Sequence, residues 1–170
     1  MLPGIDAVWC ALLPNGYAKP VFNSFHVMNK DLFTQSFLSE LLKQADTSPR
    51  LRVNYDLRNS SADTSQRMLN ALAVGTQVPV HRHEDTVETV ICLCGKLEEI
   101  IYEEVKEFET ELSSGTTDVV RRRGFREMSR TLLSPAEGVF GMQVPAGAWH
   151  TVRVLEPAVI FEAKDGAYKG

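Results

Sequence analysis

The sequence has few of the features that mark several common classes of protein. Its three cysteines, Cys10, Cys92 and Cys94, are an odd number in 170 residues. This pattern does not indicate a disulfide framework, and we expect reduced thiols of the kind found in cytoplasmic proteins. The net charge is -4, so there is no basic excess to attract nucleic acid or an anionic membrane. We therefore expect neither of these as a partner.

Long hydrophobic runs are also missing. The apolar stretch from Met1 to Leu13 is interrupted by Pro3 and Asp6, and no basic residue precedes it. It is too short to span a bilayer and is a poor signal peptide, so we expect it to add a strand to a sheet edge. The apolar fraction of 44% and the charged fraction of 24% are ordinary for one soluble globular domain.

One helix is predicted, over residues 29–46. Apolar residues recur there at helical spacing, which gives a single buried stripe that we expect to pack on the strands or at a subunit contact. Asn29 or Asp31 can cap the first free amides, and Pro49 ends the helix.

The rest of the chain has the pattern of short strands. Leu51 to Arg58 alternates apolar and polar residues, and Gln66 to Ala73 follows as a strand or a short helical turn. Further strands are predicted at 87–94, 97–102, 105–108, 131–133, 139–144, 151–155 and 158–164, separated by turn signals such as Gly95-Lys96 and Glu156-Pro157. Such a succession is typical of a barrel or a double-sheet jelly roll, and the pattern alone favours neither.

Charged residues are frequent between these strands. The glutamates from Glu98 to Glu111 are interpreted as solvated faces and loops. The polar stretch from Ser113 to Arg130, with Arg121-Arg-Arg-Gly124 at its middle, is predicted to be a long loop at the mouth of the fold.

The most informative stretch is GTQVPVHRHEDTVETVICLCG, residues 75–95. His81 and His83 are two residues apart on a predicted strand, so their side chains leave the same face. Glu88 opens the next strand after a polar turn, and a hairpin would bring it back beside the histidines. Two imidazoles and a carboxylate form most of a metal's coordination shell.

A fourth candidate ligand lies far downstream. Pro145 and Gly147 predict a tight turn, and His150 begins the next apolar run. Neutral imidazoles with one carboxylate suit a divalent transition metal such as Zn, Fe, Ni or Mn, whereas Mg and Ca prefer oxygen ligands.

Both stretches resemble the two cupin motifs. The first is matched in full by Gly75-x5-His81-x-His83-x4-Glu88-x6-Gly95, and the centre of the second by Pro145-Ala-Gly-x2-His150. Two positions that supply no ligand depart from the pattern: Gly138 is one residue early, and Val154 replaces an asparagine. The resemblance implies a mainly β cupin jelly-roll barrel with one metal ion held by His81, His83, Glu88 and His150.

A closer resemblance, over residues 48–168, is to the WbuC family of cupin metalloproteins. It rests on SPRLRVNYDLRNSSADTSQRMLNAL before the first histidine and WHTVRVLEPAVIFEAKDGAY after the last, with Gly166-Ala-Tyr168 where relatives have Gly-Pro-Tyr. We expect a barrel over 49–170, with 1–48 as an extension of the same domain. Because cupins commonly pair through sheet edges, we also expect a homodimer.

The resemblance also indicates a class of function. The family is associated with bacterial surface-polysaccharide gene clusters, which implies a metal-dependent enzyme on a small polar metabolite, a sugar or nucleotide-sugar. Its chemistry would be that of an isomerase, an epimerase or an oxygenase. The alternative is a non-catalytic module that binds or senses a small molecule.

Four more side chains are site candidates. Glu162 and Lys164 share one face of the last strand and match the family's Phe-Glu-x-Lys segment; they could act as base and acid, or form an ion pair that closes the sheet edge. Arg58 and Arg67 are candidates for binding the substrate, with a solvated face as the alternative. Cys92 and Cys94 share the strand parity of Glu88 and are expected to point inward as small core residues.

Overall fold

The computed structural model describes residues 32–113 and 116–166, with side chains except those of residues 107–123. These residues fall within one compact unit, Asp31–Gly170. The predicted edge strand within residues 1–13, Cys10 and the helix caps Asn29 and Asp31 lie outside the described residues. The division of the chain at residue 48 stays a prediction.

The described residues form one helix and a six-stranded antiparallel sheet. The elements are α1 (Gln35–Thr47), β1 (Arg52–Asp56), β2 (Ser65–Leu72), β3 (Glu88–Ser113), β4 (Thr116–Leu133), β5 (Gly141–Val144) and β6 (Trp149–Asp165), with a 3-10 turn at Pro135–Glu137. The strand order is β1-β2-β6-β3-β4, and β5 pairs with β3. This confirms that the fold is mainly β, with one helix before the strands; the jelly-roll barrel stays a prediction. No helix in the described ranges has the length and apolar character needed to cross a membrane.

Helix α1 begins later than predicted. Its N-cap is Thr34, whose hydroxyl accepts a hydrogen bond from the Phe37 amide at 3.2 Å. Leu32 and Phe33 therefore precede the helix and are exposed. Because a capping hydroxyl satisfies an otherwise free amide, the start is fixed at this threonine. The buried face packs against β1, β2 and β6, and consists of Phe37, Leu38, Leu41 and Ala45.

Strands β1 and β2 separate the helix from a central cavity. The apolar row of β1 packs under α1, where the Tyr55 and Phe37 rings meet edge to face at 5.1 Å. The polar row, interpreted in part as solvated, instead brings Arg52 and Asn54 to the cavity. Residues 65–72, for which strand and helical turn were both open, form β2.

Strand β3 contains the largest difference from the predicted order. It runs for 26 residues where shorter strands and a turn at Gly95 were expected. Gly95 has φ +81, and a Cβ there would lie 2.1 Å from the Pro157 oxygen of β6. Register shifts between β3 and β6 surround this close approach. The predicted turns at Gly95 and Pro157 are therefore wrong, because both residues lie inside long, irregularly paired strands.

The same irregularity reverses the expected direction of one cysteine. Cys92 packs in the inner core with Val90 and Ile160, whereas Cys94 packs against the cluster beneath α1. A register shift lies between them, so the rule of strict alternation fails. The prediction that both point inward is wrong for Cys94. Neither thiol belongs to the group of potential metal ligands described below.

The predicted loop at 113–130 is also wrong. Thr116–Leu133 forms β4, which pairs with β3 from Ser113↔Thr116 to Leu97↔Leu133. Arg126 forms an ion pair with Glu103 across this ribbon, and Arg130 reaches Glu98 at 2.5 Å. A two-stranded ribbon that carries charged side chains lacks a clean apolar alternation, and its sequence therefore resembles a loop.

Candidate metal centre

Four side chains from the two motifs converge on one wall of the cavity. One ligand atom from each of His81, His83, Glu88 and His150 lies within 4.8 Å of the other three. The histidines of the first motif lie in irregular chain and not on the predicted strand. An isolated bridge joins His81 to His150 through two backbone hydrogen bonds, of 3.0 and 2.8 Å. Backbone pairing between the motifs thus produces the convergence that was predicted from a hairpin.

The turn of the second motif supports the same arrangement. The Ala148 amide donates to the Pro145 oxygen at 3.1 Å, and the Gly147 amide donates to the His83 oxygen at 2.7 Å. Gly147 has a φ of +75, a backbone conformation that is energetically unfavourable for residues with a side chain. The predicted tight turn is confirmed, and it positions His83 as well as His150.

The side-chain hydrogen bonds define which imidazole nitrogens are free. Nδ1 of His81 lies 3.0 Å from the Pro79 oxygen, and Nδ1 of His150 lies 3.0 Å from the Ala148 oxygen. Because a carbonyl oxygen only accepts, each Nδ1 carries the proton. In the neutral ring, Nε2 then has a free lone pair, which is how second-sphere carbonyls orient metal-binding histidines.

Glu88 faces two of these rings from the start of β3. It is buried, and its carboxylate oxygens lie 3.1 Å from His150 Nε2 and 3.4 Å from His83 Nε2. With the His150 proton on Nδ1, the short contact brings two acceptor atoms together. A shared cation, a proton or a metal ion, relieves this repulsion.

The protonation states suit metal binding. Burial lowers the pKa of His81 and of His83, and the charge of His150 adds to the effect on His81. Burial opposes ionisation of Glu88, but the neighbouring rings of His150 and His83 lower its pKa overall. Neutral imidazoles and an ionised carboxylate are the forms that coordinate metals. Their three nitrogens and one oxygen, close to the spacing of one coordination shell, fit a divalent transition metal.

The cluster lies beside a cavity of about 760 Å³, a volume typical of small-molecule sites. Polar and apolar side chains from β1, β2, β3 and β6 alternate on its walls. Besides the four clustered residues, the side chains that line the cavity include Gln66, Met68, Asn70, Leu72, Val90, Glu99, Ile160, Glu162 and Lys164.

Both predicted proton-transfer residues line this cavity. The Glu162 carboxylate accepts a hydrogen bond from Asn70 Nδ2 at 2.5 Å. Burial, with the charge of Glu88, raises the pKa of Glu162 to about 8. Among the described residues no ion pair joins it to Lys164, and β6 lies between β2 and β3 in the sheet. The arrangement is not an ion pair that closes a sheet edge.

The two predicted substrate-binding arginines lie elsewhere. Arg58 pairs with Asp56 at 2.7 Å, and Arg67 pairs with Asp63 at 3.0 Å. Neither side chain lines the cavity. The structure does not bring them to the four clustered side chains, and their role in binding stays a prediction.

Sequence reasoning missed Glu99. It was included among the solvated glutamates, but its side chain is 1% exposed and lines the cavity. Burial raises its pKa to about 9, with contributions from Glu162 and Glu88. The available signal was its position between Leu97 and Ile101, whose side chains share the inner face of β3. A glutamate in an apolar alternation indicates a buried carboxyl group.

Comparison with known proteins gives a partial family match and distant structural likenesses. Residues 33–113 match a family described as a domain of unknown function (DUF6016). No curated protein matches the sequence.

Three solved structures illustrate the structural likenesses. TT1209 from Thermus thermophilus is 21% identical, with a TM-score of 0.48, over 70% of this chain and 87% of that one. KdgF from Halomonas sp. is 17% identical, with a TM-score of 0.42, over 73% and 86% of the two chains. An RmlC-like cupin protein from Desulfovibrio desulfuricans is 13% identical, with a TM-score of 0.39, over 67% and 81%. The structures similar to this chain thus include a protein described as a cupin.

Proposed function

We propose that this protein is a metal-dependent enzyme that acts on a small polar metabolite. One divalent transition metal, Zn, Fe, Ni or Mn, would be held by His81, His83, Glu88 and His150. The observation that carries the proposal is the convergence of these four side chains beside a cavity of about 760 Å³. A structural metal site is usually closed, whereas a catalytic one borders space for substrate.

The side chains around the cavity favour an enzyme over a binding module. A bound metal would polarise a carbonyl or hydroxyl oxygen of the substrate. Glu162, with a pKa of about 8, holds a proton near neutral pH and exchanges it readily, as a general acid or base must. Lys164 and Glu99 line the same cavity. A module that only senses a metabolite does not need perturbed carboxyl groups beside its metal.

The substrate and reaction follow from the resemblance to the WbuC cupins. It supports a sugar or nucleotide-sugar of surface-polysaccharide biosynthesis. Proton transfer by Glu162 suits an isomerase or epimerase, and an oxygenase is the second candidate if the metal is iron. The reduced thiols expected of Cys92 and Cys94 support a cytoplasmic location.

A homodimer is part of the proposal. Met128, Val139 and Phe140 are exposed apolar side chains, and β4 lies at one end of the strand order. Exposed apolar groups and a sheet edge are features that subunit contacts cover. Light scattering of the purified full chain should give twice the chain mass; a monomer at micromolar concentration would reject this part.

Elemental analysis of protein purified without chelators tests the metal centre. We expect about one metal ion per chain in the unchanged protein, little in the His81→Ala/His83→Ala variant and less in Glu88→Gln. Glu103→Gln is the matched control, because Glu103 pairs with Arg126 away from the cavity. Equal metal in the histidine variant and the unchanged protein would reject the ligand assignment.

A further inference from the structure

Three buried side chains on the cavity wall carry oxygen atoms without a hydrogen-bond partner among the described residues. They are Gln66 Oε1, Asn70 Oδ1 and Glu99 Oε1. The side chains are 5%, 7% and 1% exposed, respectively. Folded proteins pair nearly all such atoms, because an unpaired buried acceptor is destabilising. Three of them around one cavity therefore require an explanation.

The free atoms of Gln66 and Asn70 are amide oxygens, which only accept hydrogen bonds, and that of Glu99 is a carboxyl oxygen. Asn70 uses its Nδ2 to donate to Glu162, and Gln66 Nε2 donates to Met68 Sδ at 3.6 Å. The amide nitrogens are thus occupied while the oxygens are not. A ligand that completes this wall must present hydrogen-bond donors. None of the three residues belongs to the four-residue metal cluster, so the wall is a separate feature of the same cavity.

We propose that Gln66, Asn70 and Glu99 form a subsite for the hydroxyl groups of a polyhydroxylated ligand. We name these residues the acceptor wall. Each free oxygen would accept from one hydroxyl, so the ligand carries several hydroxyls on a compact carbon skeleton, as a sugar ring does. The inference rests on the proposed function, in which the cavity takes a small polar metabolite, and it names the chemical class and the side chains that recognise it.

Apolar neighbours favour a neutral organic ligand over a bare cation. Met68, Leu72, Val90 and Ile160 line the cavity together with the acceptor wall. These side chains suit the C–H faces of a ring, whereas a hard cation needs a shell made of oxygen. A hydroxyl group donates to an amide oxygen, a carboxylate or the carbonyl oxygen of a neutral carboxyl. The assignment therefore does not depend on the charge of Glu99.

The acceptor wall has a consequence that separates binding from structure. Replacing an unpaired buried acceptor by an apolar group of similar shape removes a destabilising feature. Gln66→Met should therefore leave the unfolding midpoint unchanged or higher while it weakens the ligand. Asn70→Leu should also weaken the ligand, but its midpoint should fall because it removes the hydrogen bond that Asn70 donates to Glu162. Residues that serve only the fold would show the opposite pattern, because their replacement would lower the midpoint.

The test uses saturation-transfer NMR titrations of the metal-loaded full chain. D-glucose, D-galactose and D-mannose are the probes, and tetrahydropyran is the ring of matched size without hydroxyls. We expect at least one hexose to bind and tetrahydropyran not to bind. Gln66→Met and Asn70→Leu should each weaken hexose binding by about threefold to tenfold, the loss of one hydrogen bond. Gln143→Met is the matched control, because Gln143 is exposed on β5.

Several outcomes would overturn the assignment. They are binding of no hexose by the metal-loaded protein, unchanged hexose affinity in both wall variants, or unfolding of Gln66→Met at a lower midpoint than the parent. The fourth such outcome comes from titration with Mg²⁺ and Ca²⁺. If the parent protein bound either cation and Gln66→Met abolished that binding, the acceptor wall would be a cation site. A wrong assignment of the metal ligands would give a different result from a wrong assignment of the acceptor wall. In that case the His81→Ala/His83→Ala variant would have the metal content of the parent and would still bind hexose.

Discussion

His150 Nε2 lies 3.1 Å from the Glu88 carboxylate, while Nδ1 of the same ring lies 3.0 Å from the Ala148 oxygen. The two residues are 62 positions apart in the sequence and belong to different motifs. Since Nδ1 donates its hydrogen to the Ala148 oxygen in a hydrogen bond, the neutral ring presents the lone pair of Nε2 to a carboxylate. The pair is stable when a cation lies between them. This relationship makes metal binding and pH interdependent.

Metal affinity should fall as the pH falls below the ordinary histidine pKa of 6.5. Burial lowers the pKa of His81 and His83, so both rings are neutral at pH 7 and compete for protons only under acid conditions. Below their folded pKa values, each protonated ligand should cost about tenfold in affinity per pH unit. Zinc competition with a chromophoric chelator measures this. A zinc affinity that stays constant over the whole acid range in which the protein remains folded would show that the rings are not ligands.

Glu99 should make the metal-free protein less stable as the pH rises. Its pKa is 4.5 in the unfolded chain and about 9 in the folded protein, so the folded state holds the extra proton between these values. The stability from this group is fully present below pH 4.5 and is lost as the pH rises through about 9. The slope that one such group contributes is at most ~1.4 kcal/mol per pH unit.

Glu99→Gln should remove that slope, which urea denaturation at several pH values would measure. Glu103→Gln is the control, because Glu103 lies on the same strand and pairs with Arg126 away from the cavity. If both variants kept the slope of the parent protein, the buried carboxyl group would not be its source.

Gly95→Ala should destabilise the fold far more than Gly138→Ala. Both glycines have positive φ, +81 and +78, so alanine is strained at each by about 1–2 kcal/mol. At Gly95 the new Cβ would also lie 2.1 Å from the Pro157 oxygen, whereas at Gly138 nothing lies within 4 Å. We expect an additional loss of about 2 kcal/mol or more at Gly95. Equal urea midpoints for the two variants would contradict the close approach of β3 and β6.

The four clustered residues could be predicted because two short sequence motifs contain them at characteristic spacings. The position of Glu99 could not be predicted by counting from Glu88, since the register shifts after Cys92 change which residues of β3 face inward. Strict alternation from Glu88 gave the wrong direction for Cys94, and only the local alternation of Leu97, Glu99 and Ile101 indicates that Glu99 is buried. Similarly, Arg52 belongs to a row of polar residues on β1 that lines the cavity, and this is visible only once the neighbouring strands are in place. The pairing register between strands that are distant in the sequence determines which way these side chains point, and this register cannot be read from a single sequence.

Glu162→Gln should abolish turnover while the metal stays bound. The variant keeps the size of the side chain and leaves the four clustered residues intact, but it removes the proton that a pKa of about 8 holds near neutral pH. Elemental analysis should give the metal content of the parent. Lys164→Met is the companion variant, because Lys164 lines the same cavity and its loss separates the two candidate roles.

Carboxyl ¹³C NMR of the metal-free protein checks the physical basis of this role. Two glutamates, Glu99 and Glu162, should titrate above pH 7, and because each charge raises the other's energy they titrate as a pair. In Glu162→Gln one signal should disappear and the pKa of Glu99 should fall, because the charge of Glu162 helps to raise it. If both signals titrated near the ordinary pKa of 4.5, Glu162 would be ionised at neutral pH and could act only as a base.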